Sequence, residues 1–455
     1  MAVPGPLSKQ YRAITAAILA LVTVVAFEAM AVSTAMPQVA RDLHAVRGYG
    51  LAFSAMLTAQ LLGIVLAGVW TDRRGPLRGT FAGQLLVAGG SAICGFATHY
   101  WIFLVGRVVT GLGGGLLLVM LYVIAARAYP EAIRPRLFTL VSAAWVLPSL
   151  AGPSIAAWLT GSFSWRWVFW VVVPPTLATF AYFLRARRVV ETGSLGTAVS
   201  HRDEQSHAKA AWAGLGLAIA AGAVQYGTTN GNKEWGWPDL IAALGLVGVL
   251  LTAPRLVPAG TWQMTRGLPS VMLSRALLAG AFYAGISYVP LLVVSVHHRS
   301  LLTAGALVAI GSFGWAAGAW WQGHARLAGP RDRLVLVGGI FTTLGLAGIG
   351  LIVALGLPWW LHAVPLILCG LGMGIGVTTT TILALSLVSE EEHGETSSGI
   401  QIADVLGSVL GIAAATGAFA IWHSPQNDRW LFATIFLVLA AVAALVVPAA
   451  QRIRT

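Results

Sequence analysis

The sequence predicts an all-α membrane protein built as two six-helix halves with two additional helices between them. Of 455 residues, 57% are hydrophobic and only 10% are charged. A soluble domain carries roughly 25% charged residues, so this chain cannot dress a water-facing surface. Apolar runs of about 20 residues, each able to cross a ~30 Å hydrocarbon core as a helix, recur from one end to the other. A polar stretch after the sixth run and a repeat at a fixed offset divide them.

Breaks at charges, prolines and glycines give fourteen runs. Six lie at 12–36, 49–70, 79–98, 101–126, 136–159 and 166–185. Two follow at 210–228 and 238–256, and six more at 268–296, 301–322, 333–354, 358–385, 397–422 and 430–448. The first is too long for a signal-peptide core and lacks a clear cleavage site, so it is read as a span. The domains expected are a first bundle at 1–185, a cytoplasmic linker at 186–209, two additional helices at 210–256 and a second bundle at 257–455.

Loop bases orient the chain, because cytoplasmic loops are enriched in Lys and Arg. With the N-terminus inside, Arg41, Arg47, Arg166, Lys233, Arg299 and Arg429 fall outside and Arg107 falls within a span. The remaining 21 of 28 bases, Arg275 among them, are read as cytoplasmic ends. Both termini are then cytoplasmic. Orientation thus accounts for the net charge of +12, and no nucleic-acid partner is expected. Three of the 28 bases are lysines, an arginine bias that suggests a GC-rich bacterial genome and hence a multi-pass protein of the bacterial cytoplasmic membrane.

The repeat is carried by glycines. Trp101, Arg107 and Gly111-Leu-Gly-Gly-Gly115 match Trp360, Leu366 and Gly370-Leu-Gly-Met-Gly374, and Gly152 matches Gly411, all at an offset of 259. Two halves related in this way imply a substrate path where they meet, near the midplane. Glycines also let helix backbones approach closely in lipid.

Several motifs resemble those of the major facilitator superfamily, and specifically its fourteen-span drug:proton antiporters. Gly68-Val-Trp-Thr-Asp72-Arg73-Arg74-Gly75-Pro-Leu-Arg78-Gly79 is similar to the family's cytoplasmic loop signature. An acid flanked by bases can form a charge-assisted network that latches the cytoplasmic side, whereas orientation alone would need only the bases. Glu28 to Pro37 resembles the span 1 motif, with Glu28 where Asp is usual. Trp165-Arg166-Trp167-Val-Phe169 with Pro174 resembles the entry to span 6. Arg107-Val-Val-Thr110-Gly111 resembles the span 4 motif, with Thr110 replacing glutamine. Pro148, Gly152 and Pro153 resemble the antiporter motif of span 5, although Pro148, Ala156 and Ala157 stand where glycine is usual. The resemblance implies a major facilitator fold and proton-coupled transport.

Ionisable groups at membrane depth are costly and so are functional candidates. Glu28 lies about 12 Å from the outer end of its span and Arg107 about 9 Å, at 1.5 Å per residue. The two are therefore at similar depth. Burial raises a carboxylate's pKa and a nearby guanidinium lowers it, a balance that suits proton uptake and release; the plainer alternative is a static helix-to-helix ion pair. Asp404 lies about 10 Å from the cytoplasmic side by the same rise, in a polar stripe with Ser397, Ser398, Gln401 and Ser408. That stripe lines a cavity or satisfies inter-helix bonds. Gln60, Gln84 and Thr378 to Thr381 are weaker candidates, and Trp145 could face the cavity. Cys94 and Cys369 suggest neither disulfide nor metal. His297 and His298 lack a third ligand and adjacent side chains point apart, so no metal site is expected.

No Walker motif, nucleophile elbow or zinc-protease helix occurs, so neither ATP hydrolysis nor another enzyme activity is indicated. The function expected is export of a small amphipathic, drug-like molecule by alternating access. The proton gradient supplies the energy, no cofactor is needed, and a monomer is expected in the bilayer. Acids within the spans favour a cationic substrate weakly. The alternatives are export of a native metabolite or lipid on the same fold, proton symport, and a non-transporting membrane sensor. A sensor usually adds a soluble signalling domain, which this chain lacks.

Overall fold

The structure, a computed structural model, describes residues 5–74, 76–130, 133–192, 204–231, 234, 236–323, 330–389, 392–424 and 426–453. Gly75, Lys233 and three of the bases read as cytoplasmic, Arg202, Arg326 and Arg454, lie outside the described residues, as does 193–203 of the expected linker.

The described residues form helices and no strand. In chain order they are α1 (Arg12–Asp42), α2 (Leu51–Arg74), α3 (Pro76–Phe96), α4 (Tyr100–Ala128), α5 (Arg134–Ser162), α6 (Arg166–Trp170) and α7 (Val173–Thr192). There follow α8 (Glu204–Asn230), α9 (Trp237–Thr252), α10 (Leu268–Ser295), α11 (Leu301–Gly323) and α12 (Arg331–Leu355). The last are α13 (Ala363–Ser386), α14 (His393–Trp422), α15 (Asp428–Ala444) and α16 (Val446–Gln451), with a 3₁₀ turn at Trp359–His362 ahead of α13. Among the described residues, 11 helices are long and apolar enough to cross a membrane; Leu51–Ala67 is a shorter apolar stretch. The chain is thus an all-helical membrane protein. On α9, Leu244, Val247, Leu250 and Leu251 are exposed, as side chains in contact with lipid would be.

Glycine and proline set the ends. α10 starts just after Gly267, whose φ of 81° suits glycine, and carries Pro269 in its first turn, where a missing N–H costs nothing. α12 stops at Gly356, in the left-handed conformation at φ 66°. Two carbonyls of its last turn, Val353 O and Ala354 O, accept bonds from Arg429 at 2.9 and 2.7 Å. The stretch expected as one span at 166–185 is broken into α6 and α7 just ahead of Pro174 and Pro175, which supply no backbone N–H to the helical ladder.

The chain divides into two compact units. One comprises 1–38 and 59–212, and the other 39–58 and 213–455. In the first, α4 is clamped by glycines. A Cβ at Gly113 would strike the Gly83 carbonyl of α3 at 2.7 Å, and one at Gly115 would strike the Gln60 carbonyl of α2. In the second, the matched glycines do the same for α13: Gly372 faces Gly338 and Thr342 of α12, and Gly374 faces Trp315 of α11. The repeat read from the sequence is therefore a repeat of helix-packing contacts. Its matched tryptophans, Trp101 and Trp360, are both exposed.

The additional helix α8 is bonded into its unit. Gln225 Nε2 donates to the Ser54 carbonyl at 3.2 Å and to Thr58 Oγ1.

Candidate functional site

α1 is a long apolar helix that carries one acid in its middle, Glu28. α4 carries Arg107 one residue after Gly106, where a Cβ would strike Cys94 of α3. That close approach fixes the rotation of α4. The fold brings the two charges together: Arg107 Nη1 donates to Glu28 Oε1 in a buried ion pair, with each residue 2% exposed. Such a pair survives away from water because each charge supplies the counterion and hydrogen bond that the other needs. α5 passes the same region. A Cβ at Gly152 would sit in ordinary contact with Phe27 and Met30, the neighbours of Glu28, at 3.7 and 3.6 Å. Pro148, Gly152 and Pro153 are all buried within α5.

The second unit holds another pair. Arg275 Nε donates to Asp404 Oδ1 at 2.5 Å, linking α10 to α14. Arg275 Nη1 also donates to the Val377 carbonyl of α13 at 2.7 Å and lies 3.4 Å from Thr381 Oγ1. Close approaches of Gly407 to Ala276 and of Gly411 to Gly280 hold α10 against α14 beside this pair. The sequence reading of Arg275 as an orientation charge at a helix end is corrected here. The residue lies well inside α10, 6% exposed, because Asp404 and a carbonyl satisfy its guanidinium. Depth alone was the signal that could have found it. Arg275 follows the start of its span by about seven residues, as Asp404 follows Ser397.

The other sequence candidates are more dispersed. Gln60 is half-buried on α2, and Trp145 on α5 is 36% exposed. Gln84 donates to Thr179 at 3.0 Å, tying α3 to α7. Thr378, Thr380 and Thr381 bond carbonyls of their own helix at 3.0, 2.7 and 2.9 Å, as threonines in helices commonly do. Ser408 bonds the Asp404 carbonyl, while Ser397 and Ser398 are exposed. Of the loop signature, Gly68, Asp72 and Arg73 lie in the last turns of α2, Gly75 is outside the described residues, and Arg78 is exposed on α3. Cys94 and Cys369 are free and buried.

The family model described as Major Facilitator Superfamily matches residues 18–412. The chain belongs to the Major Facilitator Superfamily. It is a membrane transporter. Among curated relatives of this facilitator, Multidrug resistance protein 3 of Bacillus subtilis (strain 168) is 24% identical over 326 residues, covering 69% of this chain and 61% of that one. Multidrug efflux pump SdrM of Staphylococcus aureus (strain N315) is 27% identical over 149 residues, covering 33% of each. The matches thus span less than two thirds of the length of these relatives. Among solved structures, a POT family transporter in complex with 5-aminolevulinic acid superposes with a TM-score of 0.73. It covers 100% of this chain and 99% of that one at 13% identity, a likeness of fold alone.

Proposed function

We propose that this facilitator is a fourteen-span, proton-coupled exporter of small amphipathic, drug-like molecules in the bacterial cytoplasmic membrane. The observation that carries the reading is the buried Glu28–Arg107 pair. A carboxylate and a guanidinium at membrane depth are costly to keep, so a protein that keeps them uses them. Protonating Glu28 removes its charge and leaves Arg107 without its counterion. The environment of α1 and α4 therefore differs between the two protonation states, and an alternating-access carrier can convert that difference into direction. A proton taken up from one side and released to the other then drives substrate the opposite way. The pair Arg275–Asp404 gives the second unit a further carboxylate in the same kind of setting.

The substrate class rests on the relatives that bear multidrug names. The fourteen-span reading adds to the 11 apolar helices α2, α5 and α8, which occupy the three other stretches where the sequence has apolar runs, and is supported by that correspondence. The loop signature ending α2 is the proposed cytoplasmic latch, and the proton gradient is the energy source.

The deciding experiment compares wild type with Glu28→Gln in proteoliposomes under an imposed pH gradient, using a panel of amphipathic cations. The amide keeps the shape and removes the titrating charge, so gradient-driven transport should collapse while the protein still purifies as a folded species. Full gradient-driven transport by Glu28→Gln would sink the coupling assignment.

A further inference from the structure

α1 and α2 each run through both compact units. The chain leaves the first unit after Gln38, near the end of α1, and re-enters it at Ala59, within α2. The hairpin between, 39–58, packs as part of the second unit, on the side read as outer from loop charge. Three contacts seat it there. The buried Tyr49 donates its hydroxyl to the Ser287 carbonyl of α10 at 2.8 Å and lays its ring 5.2 Å from that of Tyr288. Gly50 meets Thr416 of α14 so closely that a Cβ there would fall 1.8 Å from Thr416 Oγ1. The buried Gln225 of α8 donates to the Ser54 carbonyl at 3.2 Å and to Thr58 Oγ1, one turn later on α2.

Two features allow the hairpin to lift. Pro37 stands inside α1 just before the crossing, where its missing N–H removes a rung of the backbone ladder and lets the helix bend. The seat itself is polar. Water replaces a hydrogen bond when a surface opens, so each bond holds the hairpin only modestly. The surface that receives it is rigid by contrast. A Cβ at Gly227 would strike the Pro238 carbonyl of α9 at 2.3 Å, and one at Gly245 would strike the Val224 nitrogen of α8 at 2.6 Å. α8 and α9 are thus locked backbone to backbone on either side of Gln225. Gly417 in turn holds α14 against Thr228 of α8. We infer that the hairpin 39–58 is an outer strap hinged at Pro37, and that Gln225 is the catch that keeps it seated on the second unit. When the strap lifts, the bonds of Gln225 and Tyr49 pass to water and the outer end of α10 beneath Tyr49 is uncovered. Gln225 is a positioning residue, acting on α2 rather than on substrate. The additional helix α8 then has a task in the transport cycle, which is to set how long the strap stays down. The inference rests on the alternating-access reading above.

The test uses the full-length protein in cells. Ser287→Cys puts a thiol under Tyr49 and keeps the carbonyl, so its reaction with a membrane-impermeant maleimide reports lifting. Cys94 and Cys369 are buried, and the protein without Ser287→Cys supplies the blank. Gln225→Leu keeps the volume and removes both bonds, and should speed labelling about tenfold, the population change that losing one or two modest hydrogen bonds makes. Tyr49→Phe, which loses one bond, should speed it as well. Thr252→Val removes a hydroxyl of α9 bonded to its own helix and should leave the rate unchanged. If Gln225→Leu does not fold, Thr58→Val, which removes one of its two acceptors, takes its place. A residue that merely stabilised the fold would lower the yield of folded protein and leave the labelling rate of that protein as it was. In proteoliposomes, Thr58→Cys with Gln225→Cys, bridged by a short bis-thiosulfonate, should stop transport, and dithiothreitol should restore it. Labelling needs no substrate, so faster labelling in Gln225→Leu without transport of any amphipathic cation would support the strap and overturn the export reading. Unchanged labelling in both Gln225→Leu and Tyr49→Phe, or undiminished transport by the bridged pair, would overturn the strap.

Discussion

Arg275 reaches from α10 to Asp404 on α14 and, with the same guanidinium, to the Val377 carbonyl of α13. One side chain therefore joins three helices of its unit. Its burial makes the pair asymmetric with respect to substitution, because removing either partner leaves an uncompensated charge while removing both leaves none.

Arg275→Met should accordingly lower the unfolding temperature clearly, by the equivalent of about 3 kcal/mol, the lower end for breaking a buried pair, since the Asp404 side chain is 15% exposed. Arg275→Met combined with Asp404→Asn should recover much of that loss. Thermal unfolding of the three variants in detergent checks this. A double variant no more stable than Arg275→Met would mean that the carbonyl bond to Val377, rather than the ion pair, carries the stabilisation.

Glu28 and Arg107 should behave as one functional unit. Glu28→Gln and Arg107→Gln should each abolish most pH-gradient-driven transport, and the double variant should lose far less than the sum of the two losses. A double-mutant cycle on initial transport rates measures the coupling. Strictly additive losses would show that the residues act independently.

Asp72, in the last turn of α2, is expected to set the balance between access states without touching substrate. Asp72→Asn should slow turnover and shift cysteine accessibility between the two faces, with substrate affinity little altered. Wild-type turnover together with a wild-type accessibility pattern would reduce the loop signature to an orientation signal.

Two glycines should respond in opposite ways to the same change. Gly115→Ala drives a methyl into the Gln60 carbonyl, which as backbone cannot swing aside, so α4 and α2 must separate and expression of folded protein should fall. Gly152→Ala meets its neighbours only at 3.6 Å or more, and alanine favours a helix interior by up to about 1 kcal/mol. Its folding should be unharmed. Impaired transport in well-folded Gly152→Ala would assign Gly152 to conformational change rather than packing, and the measurement is transport rate normalised to folded protein.

Hydropathy and loop charge were legible from the sequence because the bilayer is an unforgiving solvent. A helix must be about 20 apolar residues long to satisfy its backbone across the hydrocarbon, so most expected stretches coincide with one helix to within about six residues, while 166–185 and 430–448 are each broken in two. Depth was legible for the same reason, since rise per residue is fixed, and it set Glu28 level with Arg107. Rotation about each helix axis was not. Whether Arg275 points at Asp404 or at a lipid headgroup depends on the face that Gly407 and Gly411 press against α10, a contact between residues more than a hundred positions apart. The same holds for His297 and His362, which lie at the ends of separate helices and meet only through packing. Sequence determined the helices, the depth of their charges and the residues small enough for close contact. Tertiary structure decided the pairing of those charges, because partners are chosen by helix rotation, which side-chain packing fixes and one-dimensional periodicity leaves open.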